Sequence, residues 1–260
     1  MLSIQDLSVG FGGVQAVSHV SFEAMPGEVI GVIGPNGAGK TTLFNAIMGL
    51  VTGSEGQIWL GNHNITGWSS DRIAHAGIQR TLQTPQVFQQ ISVMENLIAA
   101  WLAPKRPFLT WAALGGPTTR RDEITAQERA VTVLRQSPLS QEVHKLAGDL
   151  SFGHQRLLEI YRALILNPQV ILLDEPLSGL TLQEAQVVLD LVKAMREDNR
   201  AVLLVEHHLP SVLAIADRIV VLAEGMVVAN DTPDVVQCDD TVMRVYLGEN
   251  DEAQRNGSAL

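Results

Sequence analysis

The stretch EVIGVIGPNGAGKTT, residues 28 to 42, constrains this chain more than any other. A continuous aliphatic run reads as a buried strand, and it gives way to Gly34, Gly37 and Gly39 before Lys40 and Thr41 open a helical pattern. GPNGAGKT fits G-x-x-x-x-G-K-[ST] between a strand and a helix, the context this motif requires. Gly34, Pro35, Asn36, Gly37, Ala38 and Gly39 can then curl so that backbone N–H groups point at one phosphate. Lys40 reaches the β/γ oxygens of a nucleoside triphosphate, and Thr41, followed by Thr42, can ligate Mg²⁺.

QVILLD (169 to 174), AVLLVE (201 to 206) and RIVVLAEG (218 to 225) are further continuous aliphatic runs, predicted as buried parallel strands. Helical patterns at 41 to 50, 154 to 166, 182 to 198 and 209 to 215 alternate with them, so the fold class is α/β with phosphate chemistry at the strand ends. Residues 1 to 24 instead alternate apolar and polar around the turn FGG at 11 to 13, as an antiparallel hairpin does. NLIAAWLA (96 to 103) and DEITAQERAVTVLRQ (122 to 136) interrupt the βα rhythm and predict an inserted helical subdomain, with an irregular loop or a pair of short turns around 104 to 118. The polar end, 249 to 260, is expected to be a disordered tail.

VILLDE, residues 170 to 175, closes a hydrophobic strand with two carboxylates, which is costly at a buried strand end unless they meet a cation or do chemistry. Asp174 is the expected Mg²⁺ holder, and Glu175 is placed to orient or deprotonate an attacking water. A second anion-facing feature is LSFGHQRLLEIYRAL, 150 to 164, where Ser151 and Gly153 stand just ahead of a helical pattern whose dipole and N–H groups would face negative charge.

The net charge of −10 and pI near 5.1 disfavour sequence-independent binding to a polyanion, so no nucleic-acid partner is expected. The single cysteine, Cys238, permits no internal disulfide and suits a reducing compartment. The start MLSIQDLSVG lacks the basic and apolar regions of a secretory signal, and the longest apolar runs are strand length, so any membrane association is expected to go through a partner.

With GPNGAGKT, VILLDE, LSFGHQ between them and His207 after the next strand, the sequence resembles the ATP-binding subunits of ABC transporters over about residues 2 to 248. Within them it is similar to the branched-chain amino acid importer type, on FGGVQAVSHVSFE, GPNGAGKTTLFNAIMG, RTLQTPQVF with MENLIAA, and LLEIYRAL. The resemblance implies a P-loop NTPase (RecA-like) core, residues 1–85 and 155–248, with an N-terminal antiparallel β subdomain. It also implies a helical subdomain, 86–154, carrying the signature. ATP and Mg²⁺ are the implied cofactors.

It further implies that the P-loop of one subunit and the signature of another close on the same ATP. Ser151, Gly153 and His154 would then meet a nucleotide held by a partner cassette. Phe11 takes the place of the aromatic that stacks on adenine, the alternative being a hairpin-core Phe. Gln83 matches the glutamine that senses Mg²⁺ and water beside the groove for the membrane partner. His207 matches the switch histidine at the γ-phosphate; the neighbouring His208 invites a metal reading, which is discounted because adjacent strand residues point oppositely and the sequence offers no second ligand cluster.

Partners implied are two transmembrane permease subunits, a second cassette and, indirectly, an external substrate-binding protein, with this chain peripheral on the cytoplasmic face of the inner (plasma) membrane. The chain departs from the family pattern at His154, where glutamine is usual, at Thr181, where aspartate or asparagine is usual, and at Tyr161, where a small alanine is usual. Other readings are a soluble non-transport ABC ATPase, or a degenerate cassette that binds ATP but hydrolyses it poorly.

Overall fold

A computed structural model describes residues 1–105, 120–135, 137–207 and 209–245. Most of the loop expected at 104 to 118, His208 and the tail 249 to 260 lie outside the described residues.

The N-terminal hairpin pairs β1 (Leu2–Phe11) with β2 (Val14–Ala24) antiparallel about Gly12 and Gly13, both at positive φ as a tight turn requires. It is wider than the sequence indicated. β4 (Glu55–Leu60) adds to the free edge of β1 and β5 (His63–Asn64) to β4, giving the order β2-β1-β4-β5. These strands were missed because Gly56 and Gly61 break the alternation that would mark them.

The second sheet has the order β10-β9-β3-β8-β7-β6. Its centre is the predicted set: β3 (Val29–Ile33), β7 (Val170–Asp174), β8 (Ala201–Val205) and β9 (Arg218–Ala223), paired in parallel as β7–β8, β8–β3 and β3–β9. Its edges are β6 (Ile78–Arg80), parallel to β7, and β10 (Met226–Asp231), antiparallel to β9. Alternate residues of β7 explain why the run is apolar throughout. Val170 and Leu172 enter a core shared with the N-terminal sheet, while Ile171 and Leu173 enter a core on the opposite face.

The first core is closed by α1 (Lys40–Ile47) through Leu43, Phe44 and Ile47, with α2 (Ser70–Ala76) contributing Ile73. The second is closed by α3 (Val93–Leu102), α4 (Arg120–Arg135), α5 (Phe152–Leu164) and α6 (Leu182–Glu197). α3 and α4 are the helices predicted in the insert, and α3 opens on a capping box between Ser92 and Glu95. Tyr161, at the position where the family pattern has a small residue, is buried within this helical layer. Two short helices, α7 (Leu209–Leu213) and α8 (Pro233–Gln237), cover Ile33, Ile219 and Val221 at the far edge. Among the described residues no helix is long and apolar enough to cross a membrane.

Candidate functional site

The loop after β3 can be built only with glycine at two places. Gly34 has φ +149 and a Cβ there would lie 2.1 Å from the Leu222 carbonyl oxygen; Gly39 has φ +99 and a Cβ would lie 2.3 Å from that of Ala16. At Gly37 the same atom would meet nothing within 4 Å, so that side of the loop is open. α1 starts immediately afterwards with no side-chain cap and no acid in its first turn. Its positive end therefore faces a concavity of about 170 Å³ lined by Ala16, Asn36, Gly37, Lys40, Thr41 and Thr42 together with Glu175 and His207. Lys40 is buried, its Nζ donating to the carbonyls of Gly34 at 2.6 Å and Pro35 at 2.8 Å, so the cation is folded back over the loop it serves.

At the end of β7, Asp174 is buried and pairs with Arg80 Nη2 at 2.7 Å. Arg80 also donates to Asn45 Oδ1 at 2.5 Å and lies over the Phe44 ring, tying the carboxylate to β6 and α1. Glu175 follows at φ +48, a left-handed conformation uncommon for glutamate, with its N–H donating to the Val205 carbonyl at 2.9 Å. That turn places its carboxylate between two groups predicted from the sequence: Oε1 lies 2.6 Å from His207 Nε2, and Oε2 accepts from Gln83 Nε2 at 2.8 Å. Gln83, Glu175 and His207, distant in sequence, thus form one cluster at the rim of the P-loop concavity. Next to it, Glu206 is buried and accepts the Leu177 N–H at 2.7 Å; burial, above all, pushes its carboxyl above the ordinary range.

The signature stretch lies apart: none of Ser151, Gly153 and His154 lines that concavity. The helix begins two residues earlier than the pattern indicated, with Ser151 as N-cap, so Gly153 lies inside α5 rather than ahead of it. Ser151 Oγ accepts the His154 N–H at 3.2 Å, the serine satisfying one of the amides that the sequence reading left for an anion. Gly153 is buried against α6, where a Cβ would come within 2.2 Å of Glu184 Oε1. His154 Nδ1 lies 2.5 Å from Glu142 Oε2, so the departing residue is engaged within its own chain. Thr181 is likewise used locally, in a capping box with Glu184 at the start of α6. Phe11 is 51% exposed at the end of β1, which removes the hairpin-core alternative.

Sequence reasoning missed Arg80, Asn45, Glu142, Glu184 and Glu206 as parts of these sites. Only the Thr181/Glu184 spacing carried a local signal, T-x-x-E ahead of an apolar run; the others act through contacts between segments far apart in the chain.

A family model described as ABC transporter matches residues 17–178. The high-affinity branched-chain amino acid transport ATP-binding protein LivG of Escherichia coli K12 is 37% identical over 96% of this chain and 98% of its own length. BraF of Pseudomonas aeruginosa, described in the same terms, is 36% identical over the same shares. The crystal structure of the ADP conformation of MJ1267, an ATP-binding cassette of an ABC transporter, superposes with a TM-score of 0.83 at 32% identity, over 95% of this chain and 98% of that one. The concavity between α1 and the end of β7 and the separate signature helix are therefore parts of an ATP-binding cassette, and the chain belongs to the ABC transporter family.

Proposed function

We propose that this chain is the ATP-hydrolysing subunit of an importer, coupling ATP-driven closure of two cassettes to uptake of a branched-chain or similar hydrophobic amino acid, or a related amide. Its support is full-length similarity to LivG and BraF, and the observation that carries the catalytic part is the bracketing of Glu175 by Gln83 and His207 over the P-loop. On this reading residues 1–248 are one cassette, with 86–154 as its helical part. It works with two transmembrane permease subunits and a second cassette at the cytoplasmic face of the inner membrane, fed by an external binding protein. The groove beside Gln86, Glu159 and Arg162 receives the permease.

The residues of the site suit a triphosphate. Backbone N–H groups of 34–39 and the start of α1 meet its phosphates, Lys40 leaves its two carbonyl partners for the β/γ oxygens, and Phe11 stacks on adenine. Thr41, Asp174 and Gln83 offer a hydroxyl, a carboxylate and an amide oxygen, the donor chemistry that Mg²⁺ takes; when bound, the ion neutralises charge on the β- and γ-phosphates. Glu175 orients and deprotonates the water, and His207, already hydrogen-bonded to it, holds its carboxylate and reaches the γ-phosphate. Ser151, Gly153 and His154 present the start of α5 to the nucleotide of the partner cassette.

The experiment is affinity purification of Glu175→Gln with ATP and Mg²⁺ from detergent-solubilised native membranes, followed by mass spectrometry. Two multi-pass proteins and a second cassette support the reading. Recovery only as a soluble homodimer, or with ribosomes or DNA-processing proteins, overturns it.

A further inference from the structure

α5 carries an ion pair that neither phosphate site uses. Arg156 is wholly buried, with a relative exposure of 0%, and such a cation is tolerated only where its charge is met; its two Nη groups are bonded, while its Nε has no hydrogen-bond partner. Its Nη1 donates to Glu159 Oε2 at 2.9 Å and to the Leu82 carbonyl at 2.5 Å, and its Nη2 donates to the Gln83 carbonyl. From its other oxygen Glu159, also buried, accepts the N–H groups of Leu82 at 3.1 Å and Gln86 at 3.4 Å. Two side chains three residues apart on one helix thus hold both polar backbone groups of Leu82, the carbonyl of Gln83 and the amide of Gln86.

Residues 82 to 86 belong to neither helix nor strand, and their side chains are largely exposed. The segment therefore lacks a ladder or an apolar anchor of its own, and these bonds supply what fixes it. Its one inward-reaching group is Gln83 Nε2, which donates to Glu175. On its outer side Leu82 and Gln86, with Glu159 and Arg162, line a cavity of about 380 Å³. Arg162, one turn further along α5, adds a bond to the Gln86 carbonyl.

We infer that Arg156 and Glu159 are positioning residues for hydrolysis: they lock the 82–86 segment to α5, so that this helix sets where Gln83 stands relative to Glu175. The inference rests on the reading of Glu175 as the base. Because Ser151 caps the same helix, a movement imposed at its N-terminus by a second cassette, or beside Glu159 by whatever fills the cavity, reaches Gln83 through fixed hydrogen bonds rather than through a slack loop. The guanidinium fork is needed because a single ammonium cannot reach two carbonyls and a carboxylate in a fixed plane.

The test uses the full-length chain carrying Arg156→Lys or Glu159→Gln, with three readouts: Mg²⁺-dependent ATP turnover, ATP affinity, and amide exchange across residues 81–87 without nucleotide. The expected result for each variant is a kcat lower by about tenfold with ATP affinity unchanged, and exchange at Leu82 and Gln86 faster by about tenfold. Leu60→Ala in the N-terminal sheet, a core truncation away from both sites, should lower the Tm while leaving kcat and this exchange as in the wild type. Wild-type turnover and wild-type exchange in both variants overturn the inference, as does an equal loss of kcat in Leu60→Ala. Glu175→Gln run beside them separates the two claims. If it turns over normally, the base assignment fails; if it is inactive while the α5 variants behave as wild type, only the positioning role fails.

Discussion

The starts of α1 and α5 are both helix N-termini suited to phosphate, yet they are built in opposite ways. α1 opens without a side-chain cap from a glycine loop, beside a buried lysine, and Glu175 and His207 line the same concavity. α5 opens on Ser151, which caps its own helix, and its neighbours His154 and Gly153 are taken up by Glu142 and Glu184. The dipole of each helix attracts an anion at its N-terminus, but only the first has a buried lysine, hydroxyls and the Glu175 carboxylate beside it. The second has none of these beside it, and on the function proposed above it meets the nucleotide of another cassette.

The largest effect that could break this division is at Glu175. Glu175→Gln should retain ATP binding and lose about 10³-fold in turnover, measured by phosphate release; near-normal turnover would remove the base from the α1 side. Next is Ser151→Arg, which should leave ATP binding by the chain's own P-loop intact and lower turnover by about tenfold to a hundredfold, because the obstruction falls on the partner's nucleotide. Loss of ATP binding in that variant would mean that the two helix starts serve one nucleotide after all.

A smaller effect sharpens the α5 side. Thr181→Ala should cost about 1 kcal/mol of stability by removing the N-cap of α6, seen as a lower Tm, while turnover stays close to wild type. A large loss of turnover would show that the Thr181 hydroxyl works across the dimer.

The smallest expected effect concerns the buried Glu206 beside the α1 cluster. Its folded pKa is raised, so the native chain binds more protons than the unfolded one above the ordinary carboxylate range, and stability falls as pH rises through the raised value. Thermal melts across mildly acidic to neutral pH should show that decline in the wild type and a shallower one in Glu206→Gln. Glu159, which burial raises, and His75, raised by its hydrogen bonds to the Asp71 and Pro104 carbonyls, contribute declines of the same sign.

Much of the fold was legible because its signals are local. The strands at 29–33, 170–174, 201–205 and 218–223 are apolar on both faces, and that is visible in a run of five or six residues. β6, three residues long, and β4, broken by glycine, carry no such pattern and exist because a neighbouring strand offers them an edge. The P-loop could be read to the residue, since its glycines are demanded by backbone geometry within the motif itself, apart from the close approaches of Leu222 and Ala16.

The sequence by itself carried the chemical groups: a glycine loop with Lys40 and Thr41, a strand ending in Asp174 and Glu175, and a second helix start near Ser151 are each written in contiguous residues. Only the tertiary structure decided how those parts are held. It set Arg80 on Asp174, Gln83 and His207 on either side of Glu175, Glu142 on His154, and the 82–86 segment on Arg156 and Glu159. The reason is that hydrogen bonds and ion pairs between segments tens of residues apart depend on the packing of strands and helices in three dimensions, and no period or spacing along the chain encodes which partners that packing brings within 3 Å.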